Sequence, residues 1–194
     1  TSGAGNTAIG YQALRLATTA GANTVLGYQA APLLVSGTYN IVIGREAMLA
    51  ADGSESSNVA IGQSSMGGVN NDSTAQNVAI GRNSLVGGTG ALTDSIAIGY
   101  FTADGTGSIG GANNIFLGSN SGGGTWATST SNKNIAIGVE SMDAAMNGAD
   151  DNTAVGYRAG SAITEADNSV FVGSNAGLSV TTGENNTLVG HASG

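Results

Sequence analysis

The sequence predicts an all-β protein: a parallel β-solenoid of the β-roll kind, with one coil per repeat. Three observations carry that expectation. A motif first seen as Asn6-Thr7-Ala8-Ile9-Gly10 returns ten more times and closes on Gly27, Gly44, Gly62, Gly81, Gly99, Gly118, Gly138, Gly156, Gly173 and Gly190. Successive copies stand 17 to 20 residues apart, a period that means stacked coils, each leaning on its neighbours. The three residues before each glycine are short, apolar and rich in β-branched types, which favours a strand over a helix.

Each copy splits into an asparagine, a three-residue strand and the glycine. The asparagine position holds Asn in nine copies and Ser in two, Ser95 and Ser169. Such a residue can bond backbone at the turn into the strand, and in stacked coils it can bond its own counterpart as a ladder. The first strand residue is always Thr, Val or Ile, and the last is always Ile, Leu or Val. Glycine closes the strand because it takes positive φ without a Cβ clash. The third residue after it is always small, from Ala13 to Ser193.

Side chains of a strand alternate between faces. The first and last strand residues share one face, expected to be the inside of the coil. The middle residue then points outward. The middle column reads Ala8, Val25, Val42, Ala60, Ala79, Ala97, Phe116, Ala136, Ala154, Phe171 and Leu188, and none is polar. A continuous apolar stripe is rarely left open to water, so these eleven residues are the expected contact between chains of an oligomer. A coil wide enough to bury both strand faces within one chain is the alternative.

Composition narrows the function. The chain has 194 residues, 33 glycines, one proline and no cysteine, so neither a disulfide nor a thiolate metal site is available. Its net charge is −8 with five cationic residues, which argues against nucleic acid as a partner. No apolar run reaches the ~20 residues of a membrane helix, and no signal peptide is visible. The chain starts at Thr1 and enters its first repeat at once, as expected of a processed product or a fragment. Neither end carries an obvious polar cap. The eleven repeats are expected to form a single domain over 1–194.

The connectors differ in length and wetness. Residues 1–50 hold the most regular coils. Pro32 belongs where no ladder bond is needed, and Leu33-Leu34-Val35 is expected as a second strand of its coil. The stretches Ala51–Ser56, Gly67–Asp72 and Asp104–Gly107 read as solvated turns. Their carboxylates fall at irregular phases relative to the glycines, which speaks against a calcium-binding β-roll. The longest gap carries the glycine-rich run Gly122–Thr128 with Trp126, the one tryptophan, a candidate for surface recognition of a sugar, the alternative being a ring folded back over the coil. Asp150-Asp151 reads as a turn, because adjacent side chains on an extended segment point apart. His191 is the only histidine and reads as a surface residue. With one histidine and no cysteine, most nucleophilic and zinc constellations are excluded. The glycines spell no phosphate loop. The expectation is a non-enzyme with no cofactor and no metal.

The residues Asn168-Ser169-Val170-Phe171-Val172-Gly173-Ser174-Asn175-Ala176 and Asp94-Ser95-Ile96-Ala97-Ile98-Gly99 resemble the repeats in the head domain of trimeric autotransporter adhesins. Gly5 to Leu14 resembles repeats of bacteriophage tail fibres more closely still. The resemblance extends over all eleven copies. It implies a left-handed parallel β-roll assembled as a trimer, with the apolar strand near the three-fold axis. The period is longer than that of the adhesin heads, and no coiled-coil stalk, membrane anchor or self-cleaving chaperone domain is visible. The function so implied is an extracellular fibre or adhesin segment, on a cell surface or a virion tail fibre. It would form a rod of roughly 50 Å that presents a binding site for a cell-surface glycan or protein. A self-assembling extracellular filament is the alternative. A lectin-like or ice-binding solenoid is a third reading, weakened because Thr opens the strand only at Thr7, Thr24, Thr153 and Thr187.

Overall fold

The structure, a computed structural model, describes residues 3–107, 110–126 and 129–194. It is a β-solenoid. The strands in chain order are β1 (Thr7–Ile9), β2 (Thr24–Leu26), β3 (Ile41–Ile43), β4 (Val59–Ile61), β5 (Val78–Ile80), β6 (Leu92–Thr93), β7 (Ile96–Ile98), β8 (Gly111–Ala112), β9 (Ile115–Leu117), β10 (Ile135–Ile137), β11 (Thr153–Val155), β12 (Val170–Val172) and β13 (Thr187–Val189). Eleven of them form one parallel sheet, each paired with the next copy of itself, which makes about ten turns. The register follows the repeat residue for residue, as in Ile135↔Thr153, Ala136↔Ala154 and Ile137↔Val155. No helix occurs among the described residues.

A second, interrupted ladder runs six residues before the glycine in the copies that close on Gly27 to Gly118. It consists of β6 paired with β8 and of isolated bridges Gly21↔Thr38, Ser56↔Ala75 and Ala75↔Thr93. The expected second strand at Leu33-Leu34-Val35 is therefore displaced. Leu34 is instead a buried core residue on an irregular connector.

The glycine column is held by close approach. Gly10 to Gly190 take φ between 123° and 147°. A Cβ on Gly44, for example, would stand 2.6 Å from the carbonyl carbon of Gly62. No side chain fits there, so the backbones of successive coils touch directly at this corner. The bend that follows repeats two left-handed positions, two and four residues after the glycine, as in Glu46 (φ 57°) and Met48 (φ 48°). A third stands just before the asparagine, as in Tyr39 (φ 60°). For non-glycine residues this conformation costs about 1–2 kcal/mol each. The inter-coil hydrogen bonds of the same residues offset it: Glu46 N–H donates to Tyr28 O at 2.9 Å, and Met48 N–H to Ser65 O at 2.9 Å.

The core lies inside the coil and is made mostly of small side chains. The middle strand residue points into it: Val25, Val42, Ala60, Ala79, Ala97, Phe116, Ala136, Ala154 and Phe171 are all buried, while Ala8 is exposed and Leu188 half-buried. This reverses the expected facing and overturns the reading of these eleven residues as an interface between chains. The physical reason is width. A coil of 17 to 20 residues encloses a thin interior that accepts Ala opposite the small Ala30, Ala47 and Ser65 column, but not two Ile per strand. The β-branched pair goes outside. The two phenylalanine rings of this column enter where glycine makes room. A Cβ at Gly122 would lie 2.5 Å from the Phe116 ring, and one at Gly160 3.2 Å from the Phe171 ring.

Candidate functional site

Three features of the chain have chemistry to offer: the asparagine column, the outer face of the sheet and a carboxylate group on two connectors. The asparagine column is a buried polar ladder. Asn40 Nδ2 donates to Asn23 Oδ1 at 3.0 Å, and Asn40 N–H donates to the same oxygen at 2.9 Å. Its Nδ2 also donates to Glu55 O at 2.8 Å. The pattern repeats through Asn58, Asn77, Asn134 and Asn152. Where serine replaces asparagine, the hydroxyl keeps only the backbone part of the pattern: Asn114 N–H donates to Ser95 Oγ at 3.2 Å, and Asn186 N–H to Ser169 Oγ at 3.0 Å. The expected ladder is thus present, and its capacity is used up inside the protein. It is a fastening, not a site.

The outer face carries the first and last strand residues. Ile9, Leu26, Ile41, Ile98, Ile137, Val170, Val172 and Val189 are all more than one third exposed. The position after each glycine widens this face. It holds exposed Tyr11, Tyr28, Tyr100, Val139 and Tyr157. Tyr11 stacks on Tyr28 with centroids 5.3 Å apart, and the Arg82 guanidinium lies 5.7 Å from the Tyr100 ring centre. Eleven strands at ~4.8 Å spacing and about 10 Å of strand give an uncharged band on the order of 500 Å², in the upper part of what a soluble monomer leaves open, and the position after the glycine adds Arg45 and Arg82 beside it. None of the first or last strand residues is charged.

Trp126 does not contact solvent. It is buried, edge-on to Phe116 with centroids 6.0 Å apart. This overturns its candidacy as a surface recognition residue. The glycine-rich connector folds the ring back over the coil, and Gly111 leaves the space its edge occupies: a Cβ there would lie 2.8 Å from the ring. Ala127 and Thr128 of the same connector lie outside the described residues. His191 is exposed, with Nδ1 3.1 Å from Ser174 O. Asp150 and Asp151 do not act as a pair. Asp150 accepts from Asn132 N–H at 2.6 Å, whereas Asp151 lies 3.6 Å from Lys133 Nζ.

The group that the sequence reading missed is Asp52, Glu55 and Asp72. One carboxylate oxygen of each lies within 4.8 Å of the others. Asp52 and Asp72 are exposed and Glu55 is fully buried. Burial raises the Glu55 carboxyl above its ordinary pKa, and the nearby charges of Asp72 and Asp52 add to the rise against the hydrogen bonds that lower it. Burial likewise raises Asp104 and Asp143 on other connectors, the latter with Glu140 adding to the rise and Arg158 opposing it. The described surface holds no concave pocket, and no helix among the described residues is long and apolar enough to cross a membrane.

By fold and repeat the chain is a β-solenoid repeat protein. Comparison with protein-family models, with curated proteins and with solved structures finds no match to it.

Proposed function

We propose that the chain is a structural segment of a trimeric extracellular fibre or adhesin, a rigid β-roll that spaces or presents a binding site at a distance. The observation that carries this reading is the uncharged outer face of the eleven-stranded sheet, with Ile9, Ile41, Ile98, Ile137 and Val172 open to solvent. Such a face calls for a cover. It repeats once per coil at the strand spacing, so a surface that matches it along its whole length repeats at the same spacing. Another copy of the same chain has that property in full. The interface so assigned is the outer column pair, not the buried middle column. The reading gives the chain no catalytic role. With Trp126 inside the coil, it assigns no receptor contact to that residue.

Sedimentation of the intact chain tests the reading. Three copies give 3 × 18.8 = 56.4 kDa. We expect that mass for the wild type, and a folded monomer when Ile98→Asp and Ile137→Asp are combined. Asn70→Asp, on an exposed connector position, should leave the trimer intact. A wild-type monomer refutes the reading, and a broad, very large species favours the filament instead. Ala97→Asp is not a test of assembly, because its carboxylate would enter the core and unfold the coil.

A further inference from the structure

The connector between β3 and β4 buries a carboxylate that has no counter-charge paired with it among the described residues. Glu55 Oε2 accepts from Gly53 N–H at 3.1 Å, while Glu55 Oε1, buried within the coil, has no hydrogen-bond partner. Burying an ionised carboxylate without a counter-charge is among the costliest arrangements a protein can hold. Nearby charge makes it worse, since Asp52 precedes it on the same connector and Asp72 approaches from the next. The ion pairs among the described residues are Arg45–Glu46, Lys133–Asp151 and Arg158–Glu140, so none reaches this group.

The geometry holds the three carboxylates together. Asp72 Oδ1 accepts from Ser54 N–H at 3.0 Å, and Ser54 Oγ donates to Asp72 O at 3.3 Å. Gly53 makes the approach possible, for a Cβ on it would collide with the Asp72 carboxylate. Two adjacent coils are therefore pinned with like charges facing one another. A bound cation is the simple remedy.

We propose that Asp52, Glu55 and Asp72 bind one calcium ion, which ties the β3–β4 connector to the β4–β5 connector. The donors are hard oxygens with no nitrogen or sulfur among them, which suits calcium or magnesium and not zinc. Two oxygens on one calcium ion can stand up to about 5 Å apart, against about 4 Å on magnesium. The three oxygens lie within 4.8 Å of one another, a span that one calcium ion can bridge. Exposed Asp52 and Asp72 leave the outer side of the ion to water, as a site with three protein carboxylates requires. Glu55 supplies the inner ligand.

The test is calorimetric titration of the full chain, freed of metal by a chelator, with calcium chloride and separately with magnesium chloride at pH 7. We expect one calcium per chain, with Kd in the range of about 10⁻⁴–10⁻³ M typical of extracellular modules, and magnesium at least tenfold weaker. Glu55→Gln keeps the shape of the side chain and should weaken calcium at least tenfold. Asp52→Asn, at an exposed position, should weaken it measurably and serves if the buried variant does not fold. No saturable binding to the wild type up to ~10 mM calcium overturns the proposal. So does binding by a folded Glu55→Gln or, if that variant does not fold, by Asp52→Asn that equals the wild type.

Discussion

Asn134 shows how much of the fold rests on one amide per coil. Its side chain donates to Asn114 Oδ1 at 3.3 Å and to Ala149 O at 2.6 Å. It accepts from the backbone and the side chain of Asn152, both at 3.1 Å. Asn134→Ala removes all four bonds and strands the buried Asn152 N–H. An orphaned buried donor costs about 1–3 kcal/mol, and each of the three remaining lost bonds about 1 kcal/mol, so the expected loss is about 4–6 kcal/mol. Asn134→Ser is milder. Its hydroxyl can accept from Asn152 N–H as Ser95 Oγ accepts from Asn114 N–H. The expected loss is then about 1–2 kcal/mol. Repeat arrays open locally, so a single global unfolding curve is the wrong instrument. Hydrogen exchange at the Asn152 amide reads the local opening directly. At about 1.4 kcal/mol per factor of ten, protection should fall roughly a thousand- to ten-thousandfold in the alanine variant, and by about tenfold in the serine variant. Equal protection in the two variants would refute the ladder as a structural fastening.

Two further outcomes follow from the geometry. Gly138→Ala places a Cβ 2.6 Å from the carbonyl carbon of Gly156 and should abolish the β-sheet signal in circular dichroism. Gly190→Ala, whose Cβ meets nothing within 4 Å, should cost only the backbone strain of about 1–2 kcal/mol. Equal effects would mean that inter-coil contact is not what selects glycine. In the absence of calcium, stability should fall as pH rises above the ordinary carboxylate range. The folded chain holds protons on Glu55, Asp104 and Asp143 at pH values where the unfolded chain has released them, because burial raises all three. Melting temperatures measured in chelator should show this slope, and Glu55→Gln should flatten it. An unchanged slope would remove Glu55 as a contributor.

The strand positions, the period, the asparagine ladder and the glycine corner were all legible in the sequence, because each is a column with one chemical demand. The facing of the strand was not. Both faces are apolar, so alternation alone cannot tell inside from outside. The signal that could have settled it is size: six of the eleven middle residues are Ala, while the flanking positions hold Ile, Leu, Val and Thr. A thin coil admits the small column. Trp126 stayed open between a surface position and a ring folded back over the coil, since a glycine-rich run reads as an exposed loop until the room that glycine leaves for a ring is seen. The carboxylate group was hidden by phase. Asp52, Glu55 and Asp72 lie ten, seven and nine residues before their glycines, and connectors of unequal length bring them together all the same.

The in-register glycine corner has a consequence for how such a chain changes length. Every coil meets its neighbour through the same backbone atoms, as Gly44 meets Gly62 and Gly138 meets Gly156. One whole repeat can therefore be duplicated or lost between two glycines without altering the junctions on either side. Each such event lengthens or shortens the rod by a single strand spacing of ~4.8 Å. Copy number becomes a ruler, and reach can be tuned by recombination between repeats and not by redesign of any one of them.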